Sequence, residues 1–154
     1  MTKLLMPSPQ LIVFTDQNLI LIHDLLDQSK QEGYEFVQRT IDDWTSGTNN
    51  FSAAGEKLWG LVLDAKLVGI GGLNRAPYTD DTETGRVRHL YISKPHRRKG
   101  YATLLMNAII DHARIHFTII RLFTANPAAG KFYEALGFQK VNGYKVSHAM
   151  TFPN

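Results

Sequence analysis

Thirteen consecutive residues constrain this chain more than any others: Leu90-Tyr91-Ile92-Ser93-Lys94-Pro95-His96-Arg97-Arg98-Lys99-Gly100-Tyr101-Ala102. They read as an apolar strand, a short basic turn, and a long helix that begins near Lys99. A helix start offers backbone N–H groups without partners and a partial positive charge, so it attracts phosphate. Gly100 removes a side chain where an anion must come close to the backbone, and Ala102 keeps the next turn small. From Arg86 to Lys99 the chain carries Arg86, Arg88, Lys94, Arg97, Arg98 and Lys99, with no acidic residue among them. The combination reads as a cradle for a pyrophosphate.

Charge is distributed to match. The net charge is only +3. Residues 1–84 hold six Lys/Arg against twelve Asp/Glu, and residues 85–154 hold eleven against two. The basic residues gather at a strand–turn–helix junction, not along one helix face interleaved with exposed aromatics, so a compact phosphate ligand fits better than nucleic acid. A phosphate loop of the G-x-x-x-x-G-K-S/T kind is absent, as are the glycines of a dinucleotide fingerprint. The 154 residues suit one domain, 1–154, with a single buried core. There is no cysteine, which excludes disulfides and thiol catalysis and suits the cytoplasm. His112 and His116 lack the His-Glu-x-x-His context of a zinc site, so no metal is expected. No apolar run reaches the length of a membrane span, and Met1 to Pro9 lacks the apolar core of a leader.

Periodicity supplies the order of elements. Gln10 to Thr15 reads as a strand. Asp16 is placed to cap a helix carrying Leu19, Ile22, Leu25 and Leu26 and ending at Gly33. Tyr34 to Trp44 reads as a second helix. Leu58–Leu63 and Leu67–Leu73 read as strands joined by Asp64-Ala65-Lys66. A loop from Asn74 to Thr84 leads into a strand, Arg86 to Ser93, and then to a helix from about Lys99 to His116. Thr118 to Ala125 is a near-continuous apolar strand, Ala128 to Leu136 a short helix closed by Gly137, and the tail holds two strands around Asn142-Gly143.

Two motifs carry a resemblance. Arg97-Arg98-Lys99-Gly100-Tyr101-Ala102 is similar to the Q/R-x-x-G-x-G/A signature of the GCN5-related N-acetyltransferases. Asn126, Ala129, Phe132, Tyr133, Gly137 and Phe138 are similar to that superfamily's later N-x-x-A-x-x-F/L-Y-x-x-x-G-F pattern. The match runs from about Gly85 to Val141, while the first half fits only by its pattern of elements. The resemblance implies an α/β fold with a mixed, mostly antiparallel central sheet and helices on both faces. It implies acetyl-CoA as cofactor, with the backbone of Leu90, Tyr91 and Ile92 beside the pantetheine arm and the amides from Arg98 to Thr103 on the pyrophosphate. Arg97, Lys99, Gly100, Tyr101 and Ala102 fall in the same cradle. Asn126 would contact the cofactor at a splay between the fourth and fifth strands, or cap the following helix, or both.

Tyr133 stands where many relatives place the general acid that protonates the leaving thiolate; read from pattern alone, it is a core aromatic. The general base is harder to find. Relatives use a Glu on the fourth or fifth strand, where this chain has Arg86 and Arg121, and neither can accept a proton. His89 is the nearest titratable candidate. Strand alternation puts it with Tyr91, on the face opposite Leu90 and Ile92, unless a bulge intervenes; an ordered water is the alternative. Asp80, Asp81 and Glu83 read first as an ordinary solvated loop and second as a lure for a cationic amine, such as a polyamine or aminoglycoside, whereas Arg86 and Arg88 point to a carboxylate-bearing one. The expectation is an N-acetyltransferase acting on a small-molecule or peptide amine, with a catalytically silent acyl-CoA sensor as the alternative. No nucleic acid or membrane partner is expected. Relatives often form homodimers through their late strands, which nothing in the sequence demands.

Overall fold

The computed structural model describes residues 8–153. Most of Met1 to Pro9, where a leader's apolar core is not expected, lies outside them. The strands are β1 (Gln10–Val13), β2 (Lys57–Leu63), β3 (Lys66–Arg75), β4 (Thr84–Ile92), β5 (Ile119–Leu122), β6 (Gln139–Lys140) and β7 (His148–Thr151). The helices are α1 (His23–Gln31), α2 (Phe36–Ser46), α3 (Tyr101–His116) and α4 (Pro127–Ala135). The order is the one read from periodicity. The sheet runs β1-β2-β3-β4-β5-β7-β6. Its neighbours are antiparallel except β4 and β5, which are parallel. A parallel pair needs a long crossover, and α3 supplies it.

The first helical segment departs from expectation. A 3-10 turn, Leu19–Ile22, precedes α1, and Asp16 does not cap it. Asn18 Oδ1 accepts from the Thr15 amide at 2.7 Å, while Asp16 Oδ1 accepts the indole N–H of Trp44 at 2.8 Å. Asp16 therefore ties the first turn to α2, a long-range bond with no local signature.

Both faces of the sheet are covered. Leu58, Leu67, Ile70 and Tyr91 pack with Ile22, Leu25, Val37 and Trp44 from α1, α2 and the 3-10 turn. Trp59, Leu61, Val68, Leu73, Val87 and Ile92 pack with Leu105, Met106, Ile109 and Tyr133 from α3 and α4. The alternation of Leu58 and Trp59 between these clusters is the period of two expected of a strand buried on both faces. Where α3 crosses β3 the strand has glycine. A Cβ on Gly71 would lie 3.1 Å from Ile109 Cδ1 and 3.2 Å from Leu90 Cδ1, so the missing side chain lets the helix sit close. Leu105, fully buried, lies at this crossing, its Cβ 3.8 Å from the position of a Cβ on Gly71. Leu105→Ala is expected to cost about 2–5 kcal/mol, read as a shift of the urea midpoint with an unchanged slope.

Candidate functional site

β4 and β5 stay together for only three residue pairs, Thr84↔Ile119, Gly85↔Ile120 and Arg86↔Arg121. Beyond Arg86 the strands part. β5 ends at Leu122 and the chain turns through Thr124 and Asn126 into α4. The gap opens a cleft of about 1260 Å³, floored by Val87 to Ile92 and walled by Leu122–Asn126, α4 and the start of α3. The β5-facing edge of β4 carries no strand there, so an extended ligand can lie along it.

The end of the cleft nearest Ile92 is built from backbone. After a 3-10 turn, Lys94–His96, α3 begins with Gly100 as N-cap at φ 81°. Arg98 also has positive φ, 63°. Among the described residues, no backbone or side-chain acceptor meets the amides of Arg98, Lys99, Gly100, Tyr101, Ala102 or Thr103. A Cβ on Gly100 would meet nothing within 4 Å. The glycine is therefore required by its left-handed backbone, and the space before it is open.

The side chains there divide. Arg98, Tyr101, Ala102 and Thr103 line the cleft, but exposed Lys99 does not. Arg97 lines the cleft as well, with its guanidinium engaged by protein groups. Its Nε donates to Ile92 O at 2.9 Å, and its Nη1 and Nη2 donate to the two carboxylate oxygens of Glu32 at 2.8 and 2.6 Å. It also lies over the Tyr91 ring, 5.4 Å from guanidinium carbon to centroid. The Tyr91 hydroxyl donates to Glu32 as well, and the Lys94 amide donates to Gln28 Oε1 at 2.7 Å. Two residues at the end of α1 thus hold the basic turn. The Arg97 and Tyr91 hydrogen bonds keep the Glu32 carboxyl below its ordinary value.

The chain makes a bulge at His89. Gly72 pairs with Arg88 and Ile70 with Tyr91, so Gly71 faces two residues, and His89 takes φ 62°. His89 stacks on Phe36 of α2 at 5.8 Å and 16°. Leu90 turns to the α3 side, against the Gly71 position. The imidazole lines the cleft, but burial first, then the nearby charges of Arg88, Arg39 and Arg86, push its pKa down to about 3. It is neutral at physiological pH and weakly basic.

Across the cleft, Asn126 caps α4. Its Oδ1 accepts from the amides of Ala128 and Ala129 at 2.9 and 3.3 Å, and it also lines the cleft. Tyr133, 9% exposed, packs edge-on to Phe132 and Phe138 at 5.2 and 5.6 Å and lines the cleft too. Burial raises its phenol to about 12, so it keeps its proton at any physiological pH. α4 is held by Glu134 Oε2, 2.9 Å from His148 Nε2 of β7. The structure adds Tyr34, Phe36 and Arg39 of the α2 region to the cleft. Their only sequence signal is that Phe36 and Arg39 stand three apart, on one helix face.

The Acetyltransferase (GNAT) family model matches residues 19–138. A protein of Exiguobacterium sp. 255-15 assigned as an acetyltransferase superposes with TM-score 0.81 at 26% identity, over 94% of this chain and 93% of its own. A GNAT-family acetyltransferase of Streptococcus pneumoniae gives 0.77 at 15% identity, over 95% and 100%. The ribosomal-protein-S18-alanine N-acetyltransferase of Escherichia coli gives 0.67 at 12%, over 95% and 94%. These last two likenesses are of fold alone.

Acid should weaken the protein through two of these groups. His89 and Glu32 both have folded-state pKa values below their ordinary 6.5 and 4.5. The unfolded chain therefore takes up their protons first as pH falls, and stability present above those values is lost below them. His89→Asn is expected to flatten the loss that begins below pH 6.5, and Glu32→Gln the further loss below 4.5, in urea titrations at each pH. The His89 ring resonances should stay fixed between about pH 8 and 5, where a free imidazole titrates.

Proposed function

The chain belongs to the Acetyltransferase (GNAT) family, and on that premise we propose that it moves an acetyl group from acetyl-CoA to a primary amine of a small molecule or peptide. The observation that carries this reading is the run of six amides, Arg98 to Thr103, without acceptors at the end of a splayed strand. Such a run suits a pyrophosphate better than any neutral ligand. Bound acetyl-CoA supplies an activated acyl carbon and a thiolate leaving group. The main chain of Leu90, Tyr91 and Ile92 offers the edge along which the pantetheine arm pairs. Arg98 adds charge beside the amides, while Arg97 acts through the lock that shapes the turn. With its Oδ1 taken by the helix, Asn126 has its Nδ2 left to donate toward the cofactor.

Tyr133 is the donor for the departing sulfur. A phenol near 12 is a weaker acid than an ordinary thiol, near about 8.5. The burial that raises the phenol also raises a thiol held beside it, so the gap narrows and a proton can be shared across one hydrogen bond. His89 and a water are the remaining proton acceptors, and His89 is a poor one. Among the described residues no Asp or Glu lines the cleft, and that favours the second reading, an acyl-CoA-binding sensor without turnover. The absence of cysteine suits work in the cytoplasm.

Calorimetry with acetyl-CoA, followed by thiol release against a panel of amines, tests the reading. Tight binding with amine-dependent release is expected, binding without release selects the sensor, and no binding removes both. Tyr133→Phe should leave acetyl-CoA affinity and stability nearly unchanged and lower kcat by roughly 10²-fold. Full turnover in that variant at saturating amine would return Tyr133 to a packing role.

A further inference from the structure

The cleft has a second charged end. Arg86 and Arg88 lie on β4, six and four residues before Ile92, so along the strand they stand about 20 and 13 Å from the α3 end. Arg39 faces them from α2, one turn beyond the Phe36 ring that stacks on His89. All three arginines are among the residues that line the cleft. Among the described residues none of them is paired with a carboxylate. Arg86 is held in place, with Nη1 donating to Lys145 O at 2.9 Å and its guanidinium 5.2 Å from the Tyr78 ring centroid. The acidic loop does not answer these charges. Asp80, Asp81 and Glu83 are absent from the cleft lining, and Asp81 Oδ1 accepts the amides of Glu83 and Thr84 at 2.9 and 2.8 Å.

Like charges gathered in a half-buried cleft lower the cost of bringing in an anion and raise that of a cation. Resting on the acetyl-transfer reading above, we propose that the acceptor is a primary amine carrying a carboxylate, held by Arg39, Arg86 and Arg88. Polyamines and other polycations are repelled from the same place. The arrangement also bears on the missing base. Nearby cations disfavour an ammonium, so an amine seated by its carboxylate loses its proton more readily, and His89 or water has less to do. In the reaction the neutral nitrogen forms the new N–C bond, the C–S bond breaks, the amine's remaining excess proton leaves to water or His89, the thiolate takes a proton from Tyr133, and Tyr133 regains one from solvent, so that the proton lost by nitrogen is the one gained by sulfur.

The test uses the full chain, saturating acetyl-CoA and thiol release. Phenylalanine, glutamate and β-alanine are each compared with the matching carboxamide and decarboxylated amine, beside spermidine. Amidated peptides that begin with Glu form a separate arm. At least one carboxylate-bearing amine should exceed its carboxamide in kcat/KM by about 10-fold or more. Arg88→Gln should reduce that gap to within about 3-fold, chiefly through KM, with calorimetric acetyl-CoA affinity unchanged. Arg39→Gln, on an exposed helix surface, should narrow the gap in the same direction without risk to folding. Preference for the free amino acids or for the Glu-peptides identifies the source of the carboxylate, and either supports the proposal. Equal use of carboxamides, better use of spermidine, or acetyl-CoA binding with no amine turned over overturns it. Failure to bind acetyl-CoA brings down the reading beneath it instead.

Discussion

One parallel pair in an otherwise antiparallel sheet governs the rest of this structure. β4 and β5 run the same way, so the chain must cross the sheet between them, and residues 93–118 make that crossing. The crossing element is α3, and its first turn faces the cleft where the two strands part. Had β5 been antiparallel to β4, a short hairpin would have joined them. The cleft and the helix start would then have no topological reason to coincide. The anion cradle is in this sense a product of strand direction. Gly100 completes it by adopting a conformation that an L side chain resists.

The N-terminal half contributes by restraint. Glu32 and Gln28, at the end of α1, hold Arg97, Tyr91 and the Lys94 amide, so the basic turn is braced by carboxylate and amide groups from 59 to 66 residues away. The acidic excess of residues 1–84 is therefore in part structural. Glu32 satisfies a turn whose remaining charge is left for a ligand. Phe36 and Arg39, from the next helix, close the opposite side. The family signature lies in the second half of the chain, but the cleft is assembled by both.

Local pattern and chemistry made much of this legible. The order of elements, the strand–turn–helix at Leu90–Ala102 and the Asn126 cap all follow from periodicity, capping and glycine rules that act over a few residues. What escaped was long-range. Arg97 reads in sequence only as a phosphate ligand, because nothing nearby reveals that it also binds Glu32. Asp16 looks like a cap, because its true partner is the Trp44 indole. The bulge at His89 was one of two alternatives. It depends on Gly71 lying opposite two residues, a register that only strand pairing decides. Arg39 has no motif at all, and its place in the cleft comes from how α2 lies on β4.

The seam between β4 and β5 has a mechanical consequence. The β1–β4 half is knitted by long antiparallel ladders, whereas its joint to β5 is three residue pairs long and β7 meets β5 and β6 over only four and two. Above Arg86 the two halves can spread or close without breaking a single ladder hydrogen bond. Beyond the joint, the spacing of β4 and β5 beside Tyr133 and His89 is set by side-chain packing and not by main-chain bonding.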